Sequence, residues 1–234
     1  MHDNIVVQGI VLDTSLIKEY DKRLVLLTSE LGRITVFANG ARRKNSQLTA
    51  ASQKFVMGEF TVRPSGQNAY SLVSASIKDT FLELSYDIEK MAYASYACEL
   101  AGYFTREGMG AMDELNLLYV TFKAILNEAP SISLIKSAFE IKLLDIEGLA
   151  SLDAIVMAHT GKRAEDLDNL KYGKILSPDT VNIINYILSR EISELYSFDV
   201  GDKIRIELEK ITDKYLKTQC DRHFKSLDIL KPLV

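Results

Sequence analysis

Three consecutive cations, Arg42, Arg43 and Lys44, sit in the loop Asn39-Gly40-Ala41-Arg42-Arg43-Lys44-Asn45-Ser46, and no Asp or Glu occurs between Gly32 and Met57. Guanidinium and ammonium groups at this density can follow a phosphate backbone, and guanidinium planes also stack on bases. Gly40 lets such a loop come close to another backbone. Side chains of an extended segment alternate in direction, so joint use of all three cations requires a looped conformation. Lys22 and Arg23 precede this loop, Arg33 leads into it, and Lys54 and Arg63 follow. Together with Arg42, Arg43 and Lys44 they form the candidate nucleic-acid-binding set. Residues 1–80 carry ten Lys and Arg against seven Asp and Glu, whereas the remainder carries 18 against 25, for a net charge of −4. An acidic protein with a locally basic N-terminal segment points to a polyanion partner. A solvated basic rim is the alternative. Phe37, Phe55, Phe60 and Tyr70 could serve as stacking platforms, although strand alternation sends about half of such residues inward.

Covalent and metal chemistry finds little to work with. His2, His159 and His223 are far apart, and there is no His-Glu-x-x-His pair and no Gly-x-Ser-x-Gly elbow. Gly161-Lys162 lacks both the preceding glycine and the following Ser or Thr of a phosphate-binding loop. His159 has no Cys or His at ligand spacing. Cys98 and Cys220, the only two cysteines, build no disulfide framework and fit a reducing cytoplasm. No catalytic, cofactor-binding or metal-binding residue is assigned.

These side chains need a scaffold. A 234-residue chain that is 47% hydrophobic and 26% charged is globular and long enough to bury a core. Apolar runs stop at about five residues, far short of the ~18 of a membrane span. Met1-His2-Asp3-Asn4 shows no basic stretch before an apolar one, so no secretory signal is expected. Residues 5–12, 23–28, 33–38, 54–62 and 68–75 read as five strands rich in β-branched residues. Gly32 marks a hairpin, and Arg63-Pro64-Ser65-Gly66-Gln67 marks a turn. Five short strands with one longer loop, 39–53, predict an OB-type barrel.

After about residue 80 the apolar period changes to three and four. It predicts helices over about 80–104 and 113–127, a third starting at Ser131 or Ser133 and ending at Gly148, a fourth starting at Ser177-Pro178 with its stripe running to Leu195, and a last over about 203–218. The tyrosines at 86, 93, 96 and 103 read as packing residues of the first helix. Residues 149–176 read as less regular. The expected fold is α+β in two parts: an OB-type barrel over 1–79 as the DNA-binding domain, and a helical domain over 80–234 with an irregular lobe near 150–176.

Several segments, taken in order, resemble the RecO family of bacterial recombination and repair mediators. They are Gly9-Ile10-Val11-Leu12, Tyr20-Asp21-Lys22, Leu27-Thr28-x-x-Leu31-Gly32-Arg33 and Gly40-Ala41-Arg42-Arg43 with Ser46. In the helical part the resemblance continues through Tyr96-x-x-Glu99-Leu100, Phe139-Glu140-x-Lys142-Leu143-Leu144, Tyr215-Leu216 and Phe224-Lys225-Ser226-Leu227. It implies a non-enzymatic, cytoplasmic and nucleoid-associated protein without a membrane segment. Such a protein binds single- and double-stranded DNA, anneals strands, engages the C-terminal tail of single-strand-binding protein, and works with RecR to load RecA. Lys123, Lys136 and Lys142 are then candidate cations for that acidic tail. Many family members carry a four-cysteine zinc site in the middle stretch, but residues 150–174 hold no cysteine here, so no zinc and no other cofactor is expected. The alternatives are a metal-dependent nucleic-acid-processing enzyme using scattered carboxylates, and a protein-interaction module that does not bind DNA.

Overall fold

The computed structural model describes residues 3–66, 69–128, 130–161 and 176–230. Five strands, β1 (Ile5–Leu16), β2 (Lys22–Thr28), β3 (Gly32–Ala38), β4 (Met57–Pro64) and β5 (Tyr70–Asp79), close into a barrel of order β1-β2-β3-β5-β4. β1 pairs with both β2 and β4, and the short β3–β5 contact is parallel. This is the OB-type barrel that the sequence predicts. Alternation sorts the residues: Leu24, Leu26, Ile34 and Val36 point inward and join Val7, Val11, Phe60, Val62 and Leu72 in the core. Arg23, Arg33 and Arg63, out of phase with them, are exposed.

Two strand boundaries differ from expectation for local reasons. β1 runs on to Leu16 because Asp13, Thr14 and Ser15, though polar, pair with Val25, Leu24 and Arg23 across an irregularity between Val11 and Asp13. β4 begins at Met57 because Phe55 has φ 72, a left-handed conformation that no strand accommodates. Phe55 is nonetheless buried, its N–H donating to the Val11 carbonyl at 2.9 Å.

The chain divides into two compact units, one of Met1–Leu118 with Ser226–Val234, the other Tyr119–Lys225. The first adds to the barrel a four-residue helix α1 (Leu48–Ala51), a 3-10 turn (Leu82–Tyr86), helix α2 (Ile88–Phe104) and the start of α3 (Met112–Asn127). The single helix expected over 80–104 is split at Asp87. Its carboxylate accepts from the N–H groups of Glu89 (2.8 Å) and Lys90 (2.9 Å), which makes it an N-cap. Tyr86 thereby falls outside α2 and is 74% exposed, unlike buried Tyr96.

The second unit holds the rest of α3 with α4 (Ile132–Ile146), α5 (Leu152–Thr160), α6 (Pro178–Ser189) and α7 (Asp202–Gln219). Helix α5 corrects the irregular reading of 149–176: Ser151 caps it through the Ala154 N–H, and Gly161 at φ 70 ends it. Residues 162–175 lie outside the described residues. Ser177 caps α6 as expected, and the Glu207 carboxylate accepts from the hydroxyls of Ser177 (2.7 Å) and Thr180 (2.6 Å). The stripe predicted to continue to Leu195 is interrupted at Arg190, which is extended, yet Leu195 is fully buried beyond the break.

One tertiary junction sets the geometry of the barrel face. Residues 105–111 lie antiparallel against the β2–β3 turn, with an isolated bridge between Gly32 and Glu107. Arg33 N–H donates to the Arg106 carbonyl (3.3 Å), Gly108 N–H to Leu31 (2.9 Å), and Ala111 N–H to Ser29 (3.2 Å). Gly32 has φ +66, and a Cβ there would stand 2.0 Å from the Arg106 carbonyl oxygen and 2.2 Å from that of Met109. Gly40 has φ +70, but its Cβ would meet only the flexible Arg43 stem at 3.4 Å. Gly32→Ala is therefore expected to cost about 2 kcal/mol or more in urea unfolding, from backbone strain plus overlap. Gly40→Ala should cost about 1 kcal/mol, from strain alone. Equal losses in the two variants would contradict this account of the junction.

Candidate nucleic-acid interface

The outer face of β2 and β3 is assembled by register. Arg23 lies opposite Phe37, Val25 opposite Thr35, and Leu27 opposite Arg33. Phe37 in turn neighbours Ser71, and Ser71 neighbours Arg63. Arg23, Phe37, Ser71 and Arg63 thus form one row across four strands at about 4.8 Å per strand, with a half-buried aromatic between two cations. Of the other three aromatics, Phe55 and Phe60 are buried, and Tyr70 packs against the barrel core. Phe37 is the one whose strand phase turns it to the outer face.

Below this row lies a cleft of about 330 Å³ lined by Arg23, Val25, Arg33, Ile34, Thr35, Arg106 and Glu107. Arg106 was not among the residues singled out from the sequence. It lies in an irregular segment more than 70 residues from Arg33 in the chain, and only the backbone junction at Gly32 brings it to the cleft. Among the described residues, the guanidinium groups of Arg23, Arg33 and Arg106 make no hydrogen bond or ion pair. Burial, and after it the nearby Glu107 carboxylate, pushes the Tyr70 hydroxyl above its ordinary pKa.

The loop after β3 is a chain of turns. Ala41 N–H donates to the Ala38 carbonyl, Arg43 to Gly40 and Ser46 to Arg43, while the Asp21 carboxylate accepts from Gly40 N–H at 2.7 Å. Arg42, Arg43 and Lys44 are all exposed, in the looped form that joint use requires. The backbone N–H of Arg42 donates to the Tyr20 carbonyl (3.0 Å) and its guanidinium to the Glu19 carbonyl (3.0 Å). The Arg43 guanidinium lies 5.9 Å from the centre of the Tyr20 ring, which is 43% exposed. The β1–β2 loop and the 39–46 loop therefore present a cation–aromatic pair together at one rim of the barrel. Tyr20 is a second residue that sequence reasoning passed over, although it stands directly beside Asp21-Lys22.

Lys22 and Lys54 are held by the protein itself. Lys22 Nζ donates to the Ser52 carbonyl (3.1 Å), and burial and the neighbouring Arg42 lower its pKa. Lys54 Nζ donates to Ser95 Oγ on α2 (3.0 Å) and lies 5.3 Å from the Phe55 ring centre. Arg63 donates to the Asn4 side chain at 3.0 Å and stays exposed.

Residues 1–81 match the family described as "Recombination protein O N terminal", and residues 85–228 match "Recombination protein O C terminal". The chain belongs to the recombination protein O (RecO) family. It is 28% identical to the DNA repair protein RecO of Alkaliphilus metalliredigens, over 97% of this chain and 98% of that one. It is also 28% identical to the DNA repair protein RecO of Clostridium acetobutylicum, over 95% of each chain. With that of Acetivibrio thermocellus it shares 26% identity over 96% of this chain and 95% of the relative. Arg106 lies within the stretch matched by the RecO C-terminal family, whereas Arg23 and Arg33 lie within the N-terminal match.

The zinc set that the RecO resemblance suggests does not fit this chain. Cys98 is buried in α2, where desolvation raises its thiol pKa to about 12, and Cys220 stands at the end of α7. Among the described residues no group of three or more His, Cys, Asp and Glu could hold a metal ion. The segment 162–175 contains neither Cys nor His. In the second unit, Lys136 is buried between Glu140 (2.9 Å) and Asp213 (2.7 Å). Lys142 is bound to Asp145 (2.9 Å) and the Leu188 carbonyl (3.0 Å). Only Lys123 of the three candidate tail-binding lysines is exposed.

This sorting of the cations is testable through stability alone. Replacing Lys22 or Lys54 by Gln is expected to lower unfolding free energy by roughly 0.5–1.5 kcal/mol each, the net value of a hydrogen bond. Arg23→Gln and Arg33→Gln should stay within about 0.5 kcal/mol of the parent. The reverse ranking in a urea titration would contradict the assignment.

Proposed function

We propose that this chain is a non-enzymatic recombination mediator in DNA repair that binds single- and double-stranded DNA through the outer face of its barrel. The carrying observation is the set of exposed arginines on β2, β3 and the adjoining loops of an OB-type barrel, in a chain of the RecO family. The β2–β3 face and neighbouring loops are where OB folds take extended polymers. Cations without internal partners can exchange condensed counterions for phosphates, whereas Lys22 and Lys54 would first have to leave their bonds. No sequence-reading helix is needed for such contacts, so the binding is indifferent to base sequence. Annealing follows from a surface that neutralises two phosphate backbones without burying base edges. RecR, RecA loading and the tail of single-strand-binding protein complete the proposed role, with the cytoplasm and nucleoid as its place and no cofactor required. No described helix is long and apolar enough to cross a membrane.

A fluorescence titration with single-stranded DNA at several salt concentrations tests the reading. Three to five phosphate contacts at about −0.7 each give a log–log slope of roughly −2 to −3.5. Reversing Arg42 and Arg43 to Glu should weaken binding about tenfold or more while leaving circular dichroism unchanged. With magnesium or manganese the DNA should remain intact. Binding that ignores salt would overturn the DNA reading, and cleavage that purifies with the protein would favour a nuclease.

A further inference from the structure

The cleft between Arg23, Arg33 and Arg106 is more cationic than a passing strand requires. Its three guanidiniums and the Glu107 carboxylate sum to +2 around a volume of about 330 Å³. That volume lies at the lower end of small-molecule sites, about 300–1,000 Å³, and suits one nucleotide rather than a run of bases. A phosphodiester brings a single negative charge. A terminal phosphomonoester brings about −1.5 to −2 at pH 7, with three strong acceptor oxygens. Three fork-shaped donors lining one cavity match the second group, because each guanidinium can present paired N–H bonds to a different oxygen edge. Val25 and Thr35 lie opposite each other on the cleft wall and offer an apolar surface for a sugar edge. Phe37, the next outward residue along β3 after Thr35, stands beside Arg23 where an adjacent base would stack.

We infer that this cleft is a receptor for the phosphorylated end of a DNA strand, with Arg106 supplying the third cation. This deepens the DNA-binding reading and rests on it. Neither half of the cation set suffices alone, since β2 and β3 carry two arginines and the 105–111 segment carries the third together with Glu107. Glu107, on the same lining, keeps the arginines from presenting an indiscriminate +3 field and leaves a net charge matched to a dianion. An aspartate-rich peptide ending in a carboxylate shares part of this chemistry. The outward aromatic row and the position on the β2–β3 face favour a nucleotide.

The test measures binding of the full chain to a short, internally labelled thymidine oligonucleotide with a 5′-phosphate, a 3′-phosphate or hydroxyls at both ends. One phosphorylated end is expected to bind about tenfold more tightly than the hydroxyl ends, and the two phosphorylated arms identify which terminus is taken. Arg106→Gln and Arg23→Gln should each abolish that advantage at unchanged melting temperature. The double reversal of Arg42 and Arg43 should weaken all three oligonucleotides while preserving their ratio. Equal affinity for all three in the parent, or an advantage that survives Arg106→Gln, would overturn the end receptor and leave general DNA binding standing. Loss of the bound strand to an acidic peptide, without any preference between strand ends, would assign the cleft to a peptide instead. Failure of every oligonucleotide to bind would overturn both readings.

Discussion

At Gly32 two stretches of the first unit meet backbone to backbone, at a distance that leaves no room for a side chain. The carbonyl oxygens of Arg106 and Met109 occupy the space a Cβ would need, and the left-handed φ is one that glycine adopts without strain. The arrangement of the barrel's outer face depends on that approach. Hydrogen bonds from Arg33, Gly108 and Ala111 then fix the 105–111 segment to the β2–β3 turn. Because the contact is made by main chain, its geometry is insensitive to rotamer choice, and it delivers the Arg106 side chain to the same cleft as Arg23 and Arg33. Helix α2 approaches the same place. Gly102 would bring a Cβ 3.4 Å from Leu12 and 3.9 Å from the Arg33 stem, so the helix surface is cut back where that stem lies.

The electrostatics of the barrel follow from which cations have partners. A lysine bonded to a carbonyl, such as Lys22, or to a hydroxyl, such as Lys54, adds local order and only a diffuse field. In the outer row Arg63 is exposed but donates to Asn4, whereas Arg23 combines an exposed strand position with a planar donor that has no hydrogen-bond or ion-pair partner among the described residues. Tyr20 and Arg43 extend that surface around the rim of the barrel, where two loops are tied together by the Arg42–Tyr20 backbone bond and the Gly40–Asp21 contact. In the second unit the opposite design holds. Lys136 and Lys142 are buried and ion-paired. Burial works against the Lys136 charge, but Glu140 and Asp213 outweigh it and raise its pKa, so this charge is spent on holding α4 against α7.

Much of the fold was legible because the signals were local. Period-two apolar strands, the Gly32 turn, Ser177-Pro178 and Gly148 each specify structure within a few residues. The misreadings have equally local causes. Phe55 adopts a glycine-like conformation that its residue type does not announce. Asp87 lies inside a continuous three- and four-residue apolar period, which masks its capping of α2. Ser151 and Gly161 bracket α5 with the usual start and stop chemistry, but the nine-residue helix between them is too short to show a clear apolar period. The interface was only half legible. The dense run at Arg42–Lys44 is visible in the sequence, and alternation predicts that Arg23 and Arg33 point outward. Arg106 carries no local mark, since its place on the cleft comes from a long-range main-chain contact that residue types near it do not encode. Lys22 and Lys54 look like their neighbours in sequence and are told apart only by what their ammonium groups touch.

Backbone amide hydrogen exchange with and without single-stranded DNA tests the composite face most directly, because it reads both contributing segments at once. The account predicts slowed exchange in β2 and β3, in the 39–46 loop and, together with them, in residues 105–111. Protection that leaves 105–111 unchanged while covering the barrel, or that falls only within residues 119–225, would contradict it.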